Sequence, residues 1–279
     1  VINSVDDYLY HYDPNYQDYL QGNIRLERYR NKHLIPGSVQ KKYPNEKYKV
    51  TLSPGRSEIQ RGEFYGREDM STVVIPEGVT KISDGAFFNC KNLVSVVIPE
   101  SVKIIEHNAF LNCKSLREVC ICNLRKWCEI DFGIFSNPLN YAEKLYVNGK
   151  LLTEFVVPEG TEKINPFIFE GYKSLTKLKI TNEVKRIEGY AFAKCTGLTE
   201  LVFPNSIEYI GNAAFDGCEN LEKITFPNHR ITIFEGAFES CPKLSDEIKS
   251  VINQNTQKRD LGDYELVMLD DGYERWVHK

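Results

Sequence analysis

The chain has 279 residues, 42% hydrophobic, 12% aromatic and 27% charged, which is enough apolar material to bury a core and too much for a disordered chain. Its net charge of -4 supplies no basic field for bulk attraction to nucleic acid or an anionic membrane. Eight cysteines in this length are too sparse for a disulfide-built scaffold, and no apolar run approaches the roughly 18 residues that cross a bilayer.

Length alone allows two ordinary domains or one elongated one. The chain starts at Val1 rather than methionine, as a processed or trimmed product would. Residues 1–47 stand apart in composition, with Tyr8, Tyr10, Tyr12, Tyr16 and Tyr19 crowded together. Pro14 after Asp13 suits a helix start and Gly22 a stop, and Ser38 to Tyr43 is expected to add another helical turn. The segment reads as an N-terminal cap shielding the first repeat of the array that follows.

From residue 48 the sequence repeats. Phe87 and Phe110, and then Phe192, Phe215 and Phe238, each follow an alanine and recur every 23 residues. Cysteine follows three positions later at Cys90, Cys113, Cys195, Cys218 and Cys241, and leucine three later again. One unit reads Leu93, Val96, Ile98, Pro99, Val102, Ile105, Ala109, Phe110, Cys113. A weaker first copy holds Leu52, Ile59, Phe64 and Met70, with Arg67 in the cysteine slot; another holds Leu152, Phe155, Val157, Pro158, Ile164, Phe169 and Tyr172.

Val96 and Ile98 share one face of a short strand, because side chains alternate with period two. Pro99 lacks an amide donor and closes the strand. The stretch from Val102 to Leu116, with tighter, helix-like or irregular apolar spacing, returns the chain to the next strand. A single unit is not self-sufficient: ordering its backbone costs about 1–2 kcal/mol per residue, while each buried apolar side chain returns only about 1.5–3 kcal/mol. Stacking covers both sides of each apolar layer. The expected fold is an α/β right-handed repeat solenoid over about residues 48–248, with short parallel strands on its concave face.

Leu116 and Leu152 lie 36 residues apart rather than 23, so the array carries an insertion, placed around residues 122–150. Within it Asn148–Gly149, flanked by Leu145, Tyr146, Val147 and Leu151, is a hairpin signal. After Leu244, Ser245 is expected to cap a helix over Asp246–Asn253 whose Ile248 and Val251 cover the last repeat. Tyr264–Leu269 and Tyr273–Val277 alternate around Asp270–Asp271–Gly272 and predict a second hairpin, so that residues 249–279 form a C-terminal cap.

The unit Leu-x-x-Val-x-Ile-Pro-x-x-Val-x-x-Ile-x-x-x-Ala-Phe-x-x-Cys-x-x-Leu, best preserved over 93–116 and 198–221, resembles the leucine-rich repeats of the BspA-like family. The inserted unit, with Trp127, Ser136–Asn137–Pro138–Leu139 and Leu145–Tyr146–Val147–Asn148–Gly149, is similar to a variant found in those arrays. Relatives of that family are associated with bacterial surfaces and with adhesion to host proteins. The resemblance therefore implies a cell-surface or secreted protein.

The five in-frame cysteines read as reduced core filler, since free cysteine is among the most buried residue types. Cys120 and Cys122 flank an inward Ile121 and are expected to face outward; with Cys128 they leave their redox state open but lack the paired spacing of a zinc site. The five histidines are scattered and no hydrolase, P-loop or dinucleotide motif occurs. Asp6–Asp7 and Asp270–Asp271 suit cap or turn positions. No catalytic residue, metal site or cofactor is expected.

The candidate partner surface is the outward face of the strands: Val74, Val97, Cys120, Glu154, Val156, Lys177, Lys179, Glu200, Val202, Lys223 and Thr225. Glu154, Lys177, Glu200 and Lys223 would form a ladder of alternating sign, which supports a sheet on its own account. The β-branched row beside it is either strand propensity or a binding strip. These residues lead to a non-enzymatic interaction or adhesion module taking a protein or glycan partner, with no nucleic acid and no membrane span. An intracellular scaffold using the same surface is the alternative. A carbohydrate-binding or carbohydrate-active protein, using exposed tyrosines and Trp127, is the third reading.

Overall fold

A computed structural model describes residues 49–52, 55–257, 264–268 and 274–278. The expected N-terminal cap over 1–47 lies outside the described residues, as does the turn of the second hairpin. Each repeat contributes two short strands, which stack into two rows. The first row holds β1 (Lys49–Thr51), β3 (Thr72–Val74), β5 (Ser95–Val97), β7 (Glu118–Ile121), β9 (Lys144–Val147) and β10 (Lys150–Leu151), then β11 (Glu154–Val156) paired with β13 (Lys177–Lys179) and β15 (Glu200–Val202) paired with β17 (Lys223–Thr225). The second row holds β2 (Glu58–Ile59), β4 (Lys81–Ile82), β6 (Ile104–Ile105) and β8 (Asp131–Phe132), then β12 (Lys163–Ile164), β14 (Arg186–Ile187), β16 (Tyr209–Ile210), β18 (Thr232–Phe234) and β19 (Thr256–Gln257). Pairing is parallel at the 23-residue offset, as in Val73 with Val96 and Ile187 with Ile210.

The second row corrects the expected α/β class, because the return stretch is turn, strand and turn rather than helix. Val102 N–H donates to Pro99 O, closing one turn, and three residues later Ile105 is already paired with Ile82. Asn108 then takes a left-handed φ of 58°, a conformation no right-handed helix accommodates. The described residues hold two α-helices, α1 (Leu124–Cys128) and α2 (Asp246–Asn255).

A third line of contacts joins the units at the Ala-Phe turn. Phe87 N–H donates to Ala109 O, and Phe192 N–H to Ala214 O, both at 2.8 Å. The rings stack as a column: Phe64 on Phe87 at 5.2 Å, Phe87 on Phe110 at 5.1 Å, Phe192 on Phe215 at 5.4 Å and Phe215 on Phe238 at 5.3 Å, all within 11° of parallel. Such pairs add about 0.5–1.5 kcal/mol each beyond area burial. Val73, Val96 and Val119 from the first row and Ile59, Ile82 and Ile105 from the second complete one continuous core.

The insertion stays within the stack. Asn123 caps α1 by accepting from Arg125 and Lys126 N–H, and buried Trp127 donates its Nε1–H to Ile168 O at 3.1 Å. Asn137 caps the 3-10 turn Pro138–Asn140 and donates to the Phe167 and Ile168 carbonyls. Asn148 and Gly149, at φ 50° and 73°, form the expected tight turn between antiparallel β9 and β10. At the far end Ser245 caps α2, accepting from Ile248 N–H. Ile248 and Ile252 pack on the core while Val251 is exposed, so the covering pair is spaced i, i+4 rather than the expected Ile248 and Val251. The second expected hairpin is present as β20 (Tyr264–Met268) and β21 (Glu274–His278).

Candidate functional site

The column cysteines have a specific structural duty. Phe87 and Phe192 N–H point forward to the next unit, and the column carbonyls, which already accept from the N–H three residues on (Cys90 N–H to Phe87 O, Cys195 N–H to Phe192 O), keep a second lone pair to be satisfied by a donor inside the core. The next unit's cysteine does this: Cys90 Sγ–H donates to Phe64 O at 3.0 Å, Cys113 to Phe87 O at 3.1 Å, Cys195 to Phe169 O at 3.2 Å, Cys218 to Phe192 O at 3.3 Å and Cys241 to Phe215 O at 3.2 Å. Tyr172 fills the slot once, donating its hydroxyl to Leu152 O and accepting from Leu145 N–H. Burial pushes the Cys90 and Cys241 thiols up to about 11, and those of Cys113, Cys195 and Cys218 further still. None of the eight cysteines is joined in a disulfide. Among the described residues no group of three or more His, Cys, Asp or Glu is placed to hold a metal.

Cys120 points away from the core as expected, yet it is buried rather than open: it packs with Val74 and Val97, and burial pushes its thiol up to about 12. Cys122 is buried as well. Trp127 is 1% exposed, which removes it from any carbohydrate-stacking role.

The outward face divides into two halves. Over β3, β5 and β7, Val74, Val97 and Cys120 are covered, with Thr72, Ser95 and Glu118 beside them equally buried. Over β11, β13, β15 and β17, Glu154, Lys177, Lys179, Glu200, Lys223 and Thr225 are exposed, and Val156 and Val202 are 46% and 52% exposed. Register pairs Glu154 with Lys177 and Glu200 with Lys223. The assigned strand pairing is interrupted between Lys177 and Glu200, β13 and β15 belonging to separate hydrogen-bonded pairs, although the two strands still lie beside each other. Within it Glu154 and Lys177 approach to 3.9 Å with both side chains largely in solvent, a pair worth well under about 1 kcal/mol.

Two features escape the sequence pattern. Lys144 and Tyr146 of β9 extend the outward rows, Tyr146 in register with Cys120. The left-handed turn slot taken by Gly85, Asn108 and Gly236 is filled by Phe135, Phe167 and Tyr190 at φ 57–61°, where a bulky residue is out of place by roughly 1–2 kcal/mol. Phe167 and Tyr190 stack at 5.3 Å.

Parallel strands stacked at a fixed period over a continuous column of Leu, Val, Ile and Phe define a leucine-rich-repeat solenoid. The sequence model of the BspA type leucine rich repeat region matches six copies over residues 57–143 and 140–258, and the chain belongs to that family. Similar solved structures include a leucine-rich repeat protein from Eubacterium ventriosum (20% identity, TM-score 0.46, covering 71% of this chain and 64% of that one). A leucine-rich cell surface protein from Faecalibacterium prausnitzii (19%, TM-score 0.32, 72% and 75%) and the pneumococcal vaccine antigen PcpA (15%, TM-score 0.32, 75% and 77%) are also similar. The chain thus spans less than two thirds of the Eubacterium protein. No curated protein matches it. No described helix is long and apolar enough to cross a membrane.

Proposed function

We propose that the chain is a non-enzymatic interaction module of the bacterial cell-surface type, binding a protein or glycan partner through the outward face of β11, β13, β15 and β17. The observation that carries this reading is the pair Val156 and Val202, both about half exposed on strands whose other outward residues are charged or polar. Apolar side chains on a rigid, mixed-charge sheet give a partner both a desolvation gain and a set of orienting charges. Membership of the BspA-type family supports a surface role. Val97 is buried, so the test uses the open half of the face.

The experiment compares wild type with the Val156→Glu, Val202→Glu double variant for binding to arrays of extracellular-matrix proteins and of glycans, with thermal melts of both. Loss of binding at an unchanged melting temperature is the expected result; equal binding by both proteins refutes this face as the site. Antibody labelling of intact source cells separates surface display from an intracellular scaffold.

A further inference from the structure

The residue before each column cysteine, or before Tyr172 in the same slot, has a left-handed backbone. Asparagine, glycine or serine takes it at Asn89, Asn112, Gly171, Gly217 and Ser240, but Lys194 takes it at φ 59°. A long side chain is disfavoured in that conformation, and such outliers cluster where a side chain has work beyond packing. Lys194 reaches back to the preceding unit, where its Nζ lies 3.8 Å from Glu170 Oε1. Asn140, from the inserted unit, donates its Nδ2–H to Oε2 of the same carboxylate at 3.2 Å. Gly171 lies between the two nitrogen-bearing residues: its N–H donates to Ala193 O on the Lys194 side, and a Cβ on it would sit 2.6 Å from Asn140 Cα. The residue between them thus has no side chain, and lysine and asparagine meet across it on the two oxygens of one buried carboxylate.

We propose that Lys194 and Asn140 join in an intramolecular isopeptide bond, with Glu170 as the proton carrier, and that this bond staples the inserted unit to the regular array two units on. The Lys194 ammonium passes one proton to the Glu170 carboxylate and becomes a neutral amine, the nucleophilic form of the side chain. Its Nζ attacks Cγ of Asn140, and the Nζ–Cγ bond forms. A second proton moves from Nζ through the Glu170 carboxyl to Nδ2, the Cγ–Nδ2 bond breaks, and ammonia leaves. Ammonia takes the proton still held by Glu170, so the balance is one lysine ammonium and one amide giving one new amide and one ammonium ion. Three features of the site favour the step. The reacting groups are held in one place, which replaces a bimolecular encounter by an intramolecular one. Burial raises the pKa of Glu170, which suits a carboxyl that must hold a proton between transfers. The Lys194 side chain is 59% exposed, which leaves ammonia a way out to water and makes the step irreversible. The inference is independent of what the outward face binds, since Glu170, Asn140 and Lys194 lie outside that face.

The test is the intact mass of the purified chain, measured at once and after prolonged incubation near neutral pH, for wild type, Lys194→Arg and Glu170→Gln, each first checked for a native circular dichroism spectrum. Wild type should weigh one ammonia less than its sequence, and both variants should keep the full mass. Trypsin should release from wild type one crosslinked species in which residues 127–144 are joined to residues 187–223, uncut at Lys194. A full sequence mass for incubated, folded wild type would overturn the proposal and leave the three side chains as a plain hydrogen-bond and ion-pair row. An ammonia loss that persists in Lys194→Arg would overturn it as well, because it would belong to another site, such as ring closure at Asn148–Gly149. An undiminished loss in Glu170→Gln would refute the carboxyl as the proton carrier. Lys194→Arg keeps the charge and length of an exposed side chain, so it carries the test if Glu170→Gln does not fold.

Discussion

Replacing Phe192 by alanine tests whether the ring column couples one repeat to the next. The side chain is fully buried and stacks on Phe169 at 5.8 Å and on Phe215 at 5.4 Å. Deleting a core phenylalanine costs about 3–5 kcal/mol through lost transfer energy and the cavity left behind. Two stacked contacts put Phe192→Ala in the upper part of that range, at about 4–5 kcal/mol. Phe238 has a single parallel stacking partner, Phe215, and is 9% exposed, so Phe238→Ala should cost about 1 kcal/mol less. Because stability in a repeat array is a sum of unit and nearest-neighbour terms, the interior change should also uncouple the units on either side. Urea unfolding followed by circular dichroism, and by Trp127 fluorescence in a Trp276→Phe background, reads both effects. Coincident transitions in the parent protein should separate in Phe192→Ala. Equal costs for the two variants, or a loss below about 2 kcal/mol for Phe192→Ala, would refute the column as the source of coupling.

Three further outcomes follow from the geometry. Thiols raised to about 11, as at Cys90 and Cys241, carry about 100-fold less thiolate at a pH near 8 than an ordinary cysteine; native protein should react slowly with a thiol reagent, these two ahead of Cys195 and Cys218, and equally rapid labelling of all four, read by mass spectrometry, would contradict the burial. Glu170 is 5% exposed, accepts from Asn140 Nδ2 at 3.2 Å and lies 3.8 Å from Lys194 Nζ, yet burial raises its pKa. The folded state then holds this proton more tightly than the unfolded state, so the group's contribution to stability is greatest in acid and falls as pH rises through its raised value. Glu170→Gln should gain on wild type in thermal melts from about pH 4 to about pH 8, and a constant difference across that range would contradict it. A Cβ on Gly197 would sit 2.4 Å from Lys173 O and 2.5 Å from Leu175 O, so Gly197→Ala should lose about 1–3 kcal/mol in urea unfolding, and an unchanged midpoint would show that the backbone yields there.

Much of the array is legible in the sequence because its core is strictly periodic. Phe87, Phe110, Phe192 and Phe215 stack as their spacing requires, Asn148–Gly149 turns a hairpin, and Ser245 starts a helix. The second strand row is not legible: a two-residue strand such as Lys81–Ile82 presents one inward side chain, too few to show a period of two. The thiol-to-carbonyl bonds are hidden for a different reason, since spacing locates a cysteine in the core without saying which backbone group it faces. The burial of Val97 and Cys120 on the outward side of their strands is not legible either, because the same slot is open at Val156 and Val202 and no local pattern separates the two. Phe135, Phe167 and Tyr190 look like ordinary apolar residues in the sequence, and it takes the structure to separate them from core, by their positive φ and by the exposure of Phe135 and Tyr190.

The links between neighbouring units consist largely of strand bonds, turn bonds, ring contacts and thiol contacts that join residues about one repeat apart. A copied stretch of 23 residues therefore brings its own donors, acceptors and rings, and the copy on either side needs no adjustment. A slip of one residue would instead turn every inward side chain of a strand to the outside. Gene duplication and loss in whole units can thus lengthen or shorten this surface over evolutionary time while the interior stays the same. The 36-residue step from Leu116 to Leu152 fits that rule, because its excess is taken up by a helix and a hairpin that return the chain to the same phase.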